Sequence, residues 1–279
     1  MVRKKQDLRI SWKFNKVLPR KMSLPKEVLE TLPSKYQIIG DICLVKLGYV
    51  ALKYKHQIGG IILDSHPHFR TVCANHIISG MFREPKVEVI AGDKNTETIH
   101  TENGCKFKLD VAKIMWSKGN HKERTRITKV VKKNEIILDM FAGIGYFTIP
   151  LAKFSKAKKI YSIELNPTAY NYLEQNIRLN RLSNIIPIKG DCEKEIPKLK
   201  IKFDRILMGL IPSCKEYIPA ALKAIKKGGV IHYHGLAKKG KEKDLLKDFG
   251  ARKLKLLKTT KVKSWSPSLV HVVLDVGVL

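Results

Sequence analysis

At 279 residues, 44% of them hydrophobic, the chain has the length and composition of a globular protein with one large core or two smaller ones. Lys and Arg total 54 against 25 Asp and Glu, a formal charge of +29 spread along the sequence. A merely solvated lysine-rich surface would carry a matching number of glutamates, so the imbalance favours a polyanionic partner, nucleic acid first. No apolar run reaches membrane-spanning length and no apolar signal core follows the N-terminus, so no membrane partner and a cytoplasmic location are expected. Five cysteines, Cys43, Cys73, Cys105, Cys192 and Cys214, form no C-x-x-C pair and read as reduced, structural thiols with no metal site.

Residues 1–30 form a basic N-terminal segment in which Lys4, Lys5, Arg9, Lys13, Lys16, Arg20 and Lys21 are interleaved with Trp12 and Phe14. Such a segment can clamp a nucleic-acid backbone and stack on bases, or be a peripheral arm. Pro25 opens a short helix. Residues 31–112 read as a small α+β domain. Gln37–Asp41 and Ile42–Leu47 are strands broken by a Gly-Asp turn, and His66–Arg70 is a loop around Pro67. Val87–Gly92 and Thr96–His100 are expected to pair, and Asn103-Gly104 to turn a hairpin into Cys105–Leu109. The spacing of His56, His66, His68 and His76 fits no metal motif.

Residues 113–279 read as an α/β domain. Lys113–Ser117 ends a strand, and a polar loop leads into a helix carrying Glu123, Arg124 and Arg126. The apolar run Ile136–Asp139 then gives way to Phe141-Ala142-Gly143-Ile144-Gly145 and an amphipathic segment over Thr148–Phe154. That is buried strand, glycine turn and helix start, whose free N–H groups face a ligand. A second strand ends in Glu164-Leu165, about 20 residues beyond the glycines, where an acid pairs with ribose hydroxyls. A third ends in Gly190-Asp191-Cys192, where an acid accepts from an adenine amino group. A fourth, Phe203–Met208, runs into Gly209-Leu210-Ile211-Pro212. Asp139, Glu164, Asp191 and the Gly209 loop thus fall at successive strand ends, along the edge where parallel sheets bind ligands. The series looks like a class I S-adenosylmethionine-dependent transferase; a dinucleotide dehydrogenase would place a third glycine at Thr148.

The remaining elements complete the sheet. Asn166 and Pro167 open a helix to Leu182, with Tyr170, Leu173 and Ile177 as its core stripe. Tyr217–Lys227 is expected to be a helix stopped by Gly228-Gly229, and Val230–Gly235 a fifth strand with His232 and His234 on one face. Lys238–Lys247 reads as a basic helix, and Arg252–Ser264 with Leu269–Val276 as a closing hairpin. Lys261, Lys263 and Trp265 could line an RNA groove or a solvated edge.

Trp116-Ser117, five residues, then Glu123-Arg124, just ahead of Asp139-Met140-Phe141-Ala142-Gly143-Ile144-Gly145, resembles the tRNA guanine-N1 methyltransferases acting at position 37 and their wyosine-pathway relatives. The likeness covers the chain from about residue 31. It implies an α/β, class I methyltransferase-like (Rossmann-like), mostly parallel seven-stranded sheet with a smaller N-terminal α+β domain on the tRNA side. Two features depart from the methyltransferase branch. Gly119 stands where that branch carries the arginine of Ser-Pro-Arg, and Gly209-Leu210-Ile211-Pro212-Ser213 replaces Asn-x-Pro. The Gly209–Ser213 form resembles the sister branch, the tRNA wybutosine aminocarboxypropyltransferases. That resemblance implies transfer of the 3-amino-3-carboxypropyl group of S-adenosylmethionine to C7 of 4-demethylwyosine at position 37 of tRNA(Phe).

A sulfonium has three electrophilic carbons, and the one lying in line at roughly 3–3.5 Å reacts. On this reading Asp139, Phe141, Ala142, Gly143, Gly145, Glu164, Leu165, Asp191, Cys192, Gly209 and Leu210 hold the adenosine portion. Ser117, Lys118 and Arg124 surround the sulfonium and methionine arm. Lys118, His121 and Arg124 are the catalytic candidates, although Lys118 equally suits a phosphate contact, Arg124 an ion pair and His121 an exposed loop position. Two other functions compete: N1-methylation of tRNA guanosine, and a non-catalytic RNA-binding module.

Overall fold

The computed structural model describes residues 24–33, 35–79, 84–250 and 253–279. The basic stretch before Leu24 lies outside the described residues. The chain divides into two compact units: residues up to His100 with Leu109–Trp116, and Thr101–Lys108 with Ser117–Leu279.

In the first unit, α1 (Lys26–Thr31) precedes β1 (Gln37–Ile39) and β2 (Ile42–Val45), which pair antiparallel across the Gly40-Asp41 turn. Helix α2 (Lys55–Ser65) carries the chain from β2 to β3 (Thr71–Ser79), which is parallel to β2, and β4 (Glu84–Gly92) returns antiparallel. The core of this unit gathers Val28, Cys43, Val45, Ile58, Ile62, Val72 and Ile90. Strand β4 pairs with β3, whereas among the described residues β5 (Glu97–Glu102) pairs with β6 (Cys105–Asp110) alone. The expected pairing of β4 with the segment after Thr96 does not form. Arg70 explains why: it donates to Asp93 at 2.9 Å and to the carbonyls of Asn95 at 2.9 Å and Glu97 at 2.8 Å, leading the chain away from the sheet. The β5–β6 hairpin has its stem in the first unit and its tip, Thr101–Lys108, in the second.

In the second unit, α3 (His121–Val130) leads to β7 (Ile136–Asp139), α4 (Thr148–Phe154), β8 (Lys159–Glu164), α5 (Pro167–Leu179) and β9 (Ile185–Lys189). A short α6 (Cys192–Glu195), β10 (Phe203–Met208), α7 (Ile218–Ala224), β11 (Ile225–Lys238), β12 (Leu254–Ser264) and β13 (Leu269–Val278) follow. The seven-stranded sheet runs β12-β13-β11-β10-β7-β8-β9, parallel from β11 to β9, with β13 antiparallel to both neighbours. After β9 the chain crosses to the other side of β7, so the glycine turn opens beside the point where strand order reverses, the ligand position of such sheets.

One face of this sheet is apolar: Leu138, Ile206, Met208, Ile231, Tyr233 and Leu274 pack with Ile218 and Ala221 of α7. The other carries Asp139, Arg205, His232 and Asp275, aligned by register.

Three local expectations change. Helix α7 stops at Ala224, because Ile225 already pairs with Phe203; the next pair is Arg205 with Val230, so Gly228-Gly229 lie in a strand bulge rather than at a helix end. Strand β11 continues to Lys238, opposite Leu269, and a 3-10 helix over Glu242–Phe249 replaces the expected basic helix. The buried face of α5 is Ala169, Tyr172, Leu173 and Asn176, with Tyr170 and Ile177 only half-buried.

Asn176 is fully buried. Its Oδ1 accepts from Lys108 N–H at 2.6 Å, and its Nδ2 donates to the carbonyls of Lys108 at 3.2 Å and Ile144 at 3.0 Å. Asn180, one turn on, binds the N–H and carbonyl of Lys106 at 2.9 and 2.7 Å. Four helix residues rise about 6 Å and two strand residues about 6.6 Å, so the two asparagines match alternate residues of β6. Asn176→Leu strands these backbone groups, and unfolding in urea is expected to show a loss of about 2–4 kcal/mol.

Candidate functional site

The glycine turn is positioned by backbone geometry. Gly143 and Gly145 have φ of +58° and +95°, which side chains rarely adopt. A Cβ on Gly145 would also strike Ile149 at 2.7 Å and Leu173 at 3.1 Å. Asp139, fully buried, anchors the turn from below: it accepts from Thr148 Oγ1 at 2.8 Å and from Phe141 N–H at 3.4 Å. Burial pushes its carboxyl up to about 6, with those two hydrogen bonds pulling the other way. Glu164 at the end of β8 accepts from Gly143 N–H at 2.6 Å and from Asn166 N–H at 2.8 Å, and burial raises its pKa too. The acid and the glycine turn are therefore in direct contact. Leu165, beside it, is 46% exposed.

Gly190 N–H donates to the Glu164 carbonyl at 3.0 Å, which brings Asp191 to the same edge; Asp191 caps α6 through Glu193 N–H at 3.0 Å. The Cys192 thiol is buried and pushed up to about 12 by burial, then by the Asp191 and Glu193 carboxylates, so it is no nucleophile. A Cβ on Gly209 would lie 3.3 Å from the Phe147 ring, which places that loop against the start of α4. Leu210 is half-buried against the core, and Phe141 meets Tyr217 edge-on at 5.0 Å.

A second group forms around Ser117. Arg124, 1% exposed, donates to Glu102 from Nε at 2.6 Å and from Nη2 at 2.7 Å, and to the Ser117 carbonyl at 3.2 Å. His121 Nδ1 lies 3.4 Å from the same carboxylate, on an exposed side chain. Lys118 is exposed in a 3-10 turn. Lys263 of β12 donates to Ser117 Oγ at 2.8 Å. Glu102 was not singled out in the sequence; its only signal is an acid immediately before the Asn103-Gly104 tip. The two groups meet through β13: Lys263 pairs with His271, His271 Nε2 lies 3.1 Å from His234 Nδ1, and the His234 ring meets Phe147 at 5.3 Å. Among the described residues no cluster of His, Cys, Asp or Glu could hold a metal ion, and no helix is long and apolar enough to cross a membrane.

Comparison with known proteins places this geometry in context. Residues 98–263 match the TRM5/TYW2 methyltransferase domain, and residues 15–96 match the TYW2 N-terminal domain. The chain is 44% identical over 253 residues to the tRNA(Phe) (4-demethylwyosine(37)-C(7)) aminocarboxypropyltransferase of Methanocaldococcus jannaschii, covering 86% of this chain and 96% of that one. It is 35% identical to the tRNA (guanine(37)-N(1))-methyltransferase Trm5b of Pyrococcus abyssi, covering 91% and 78%. The crystal structure of Pyrococcus horikoshii TYW2 in complex with MeSAdo superposes with a TM-score of 0.80 at 34% identity, covering 96% and 98%.

Three buried histidines line the polar face of the sheet, each pushed below the ordinary value near 6.5, chiefly by burial: His232, His234 and His271, the last down to about 4. Such a group stays neutral in the fold, so its stability contribution is full above about pH 6.5 and is lost as pH falls toward 4. For His271 alone the window corresponds to about 3 kcal/mol. The urea midpoint is expected to fall as pH drops from 6.5 to 4, and His271→Gln to flatten that slope; an unchanged slope in the variant would mean that His271 titrates as in an open chain.

Proposed function

Because the chain belongs to the TRM5/TYW2 methyltransferase family, we propose that it transfers the 3-amino-3-carboxypropyl group of S-adenosylmethionine to C7 of 4-demethylwyosine at position 37 of tRNA(Phe). The observation that carries this reading is the 44% identity, over nearly the whole length of the relative, to a protein named for that transfer. Gly119 and the Gly209–Ser213 loop, which set this chain apart from the methyltransferase pattern, support it. In this reading residues 113–279 are the donor-binding transferase domain, 31–112 the α+β domain on the tRNA side, and 1–30 a basic segment toward the RNA.

The site's chemistry fits the donor. Glu164 offers a carboxylate to two vicinal ribose hydroxyls, and Asp191 with the Cys192 backbone faces the adenine amino edge. Leu165 and Leu210 give the purine apolar faces. Gly143, Gly145, Phe141, Ala142 and Gly209 bring backbone close to the nucleoside, with Asp139 holding the turn from beneath. The bound donor supplies a sulfonium with three electrophilic carbons; passing its aminocarboxypropyl arm to C7 leaves 5′-methylthioadenosine and releases the C7 proton. Ser117 and Lys118 supply hydrogen-bond donors to the arm. Arg124, gripped by Glu102, acts through the Ser117 carbonyl it holds. His121 is the candidate to receive the C7 proton at the exposed end of the loop. Catalysis is then mainly positioning.

With tRNA carrying the precursor base and S-adenosylmethionine labelled separately in the methyl and carboxyl groups, carboxyl label is expected in the RNA. Methyl label instead would assign the chain to the N1-methyltransferase reading, and calorimetry without S-adenosylmethionine binding would leave an RNA-binding module. Glu164→Gln is expected to weaken S-adenosylmethionine binding roughly 10- to 100-fold, the worth of a hydrogen bond to a charged group.

A further inference from the structure

The sequence left Lys263 open between an RNA groove and a solvated edge; in the fold its side chain reaches the Ser117 loop. It pairs with His271, and His271 pairs with Leu236, three residues past the Tyr233 that lies opposite Met208 at the end of β10. At about 3.3 Å per residue, Lys263 stands roughly 10 Å beyond the carboxyl end of β10, on the side where the glycine turn and the Gly209 loop emerge. Cross-strand partners share a sheet face, so Lys263 lies on the face of His271, His234 and Asp139. Lys255, Lys258 and Lys261 on the same strand are exposed; Lys263 is half-buried.

Its route depends on Gly119. A Cβ there would lie 2.5 Å from Lys263 Cδ, closer than side chains tolerate, and 3.3 Å from Nζ, so the lysine would have to shift. With hydrogen in that place, the lysine crosses the loop and its Nζ donates to Ser117 Oγ at 2.8 Å. The absent side chain at Gly119 and the lysine from β12, distant in sequence, are thus one arrangement. The hydroxyl that accepts from the ammonium still has its own O–H to give, and the ammonium, which also lies 5.8 Å over the Trp265 ring, brings a positive charge to the same place. Together they match the two oxygens of a carboxylate.

We propose that Lys263, admitted by Gly119 and braced on Ser117, binds the carboxylate of the donor's methionine arm and so fixes which carbon of the sulfonium faces the RNA base. This deepens the aminocarboxypropyl reading above and rests on it. An arm held at its carboxylate is a positioned arm, and the lysine is a positioning residue for the group that migrates.

The test compares two nucleosides by calorimetry on the full chain: S-adenosylmethionine, which has the carboxylate, and 5′-methylthioadenosine, which lacks the whole arm. Lys263→Met is expected to weaken S-adenosylmethionine roughly tenfold or more and to leave 5′-methylthioadenosine within about twofold. Gly119→Ala, which puts a methyl in the lysine's path, is expected to give the same selective pattern: S-adenosylmethionine weakened, 5′-methylthioadenosine within about twofold. Equal losses for the two nucleosides would make Lys263 a structural support and overturn the proposal while leaving donor binding intact. So would an unchanged S-adenosylmethionine affinity with weakened tRNA binding, which would return the lysine to a phosphate. An unsubstituted chain that binds neither nucleoside overturns the underlying functional reading as well.

Discussion

Helix α3 buries Ile127, but a chain of charged groups ties it to the sheet. Glu123 binds Arg126 at 2.7 and 2.8 Å, Arg126 binds Asp275 at 2.7 and 2.9 Å, and Asp275 meets His232 Nδ1 at 2.7 Å. The other ring nitrogen of His232 meets Arg205, which binds Glu135 at 2.7 and 2.9 Å. An arginine only donates, so His232 Nε2 accepts and Nδ1 carries the proton given to Asp275. Burial would raise the Asp275 pKa, but bonds from His232 and Arg126 hold it well below the usual carboxylate range. A chain of buried charges is tolerable only when every member is paired; removing one partner typically costs 3–5 kcal/mol. Helix α3, β10, β11, β13 and the approach to β7 are therefore fixed as one body.

The Ser117 loop inherits its position from that body. Arg124 sits on the same helix as Glu123 and Arg126 and reaches both the Ser117 carbonyl and Glu102 at the hairpin tip. Asn176 and Asn180 hold the other strand of that tip. The glycine turn is tied independently, through Asp139 below and Glu164 beside it. Two separately braced loops thus border one sheet edge, with His234 and His271 between them.

What was legible in the sequence was what is local. The glycine turn, the acids ending β8 and β9, the Asn166 cap and the Asn103-Gly104 hairpin each declare themselves within a few residues. The Gly228-Gly229 pair misled because a glycine pair after an amphipathic run reads as a helix stop, while Phe203, far away, recruits Ile225 into the sheet. The face of α5 was right at Leu173 and misplaced on either side of it, because Asn176, buried as fully as Leu173, is a polar residue whose partners on β6 cannot be seen in the helix itself. Arg124 announced a site, but its carboxylate, Glu102, stands 22 residues earlier. The crossing of Lys263 over Gly119 was out of reach for the same reason: nothing in either stretch names the other.

The shared hairpin sets a limit on how the chain can be dissected. Its tip, Thr101–Lys108, belongs with the sheet that begins after Ser117, although it precedes Trp116 in sequence. A fragment cloned to start at residue 113 would take from the buried Arg124 guanidinium the Glu102 carboxylate that grips it, and would deprive two asparagines of the backbone they hold. The natural N-terminal cut for a free-standing catalytic fragment therefore falls before Thr101, even though that carries part of a neighbouring unit's chain along with it.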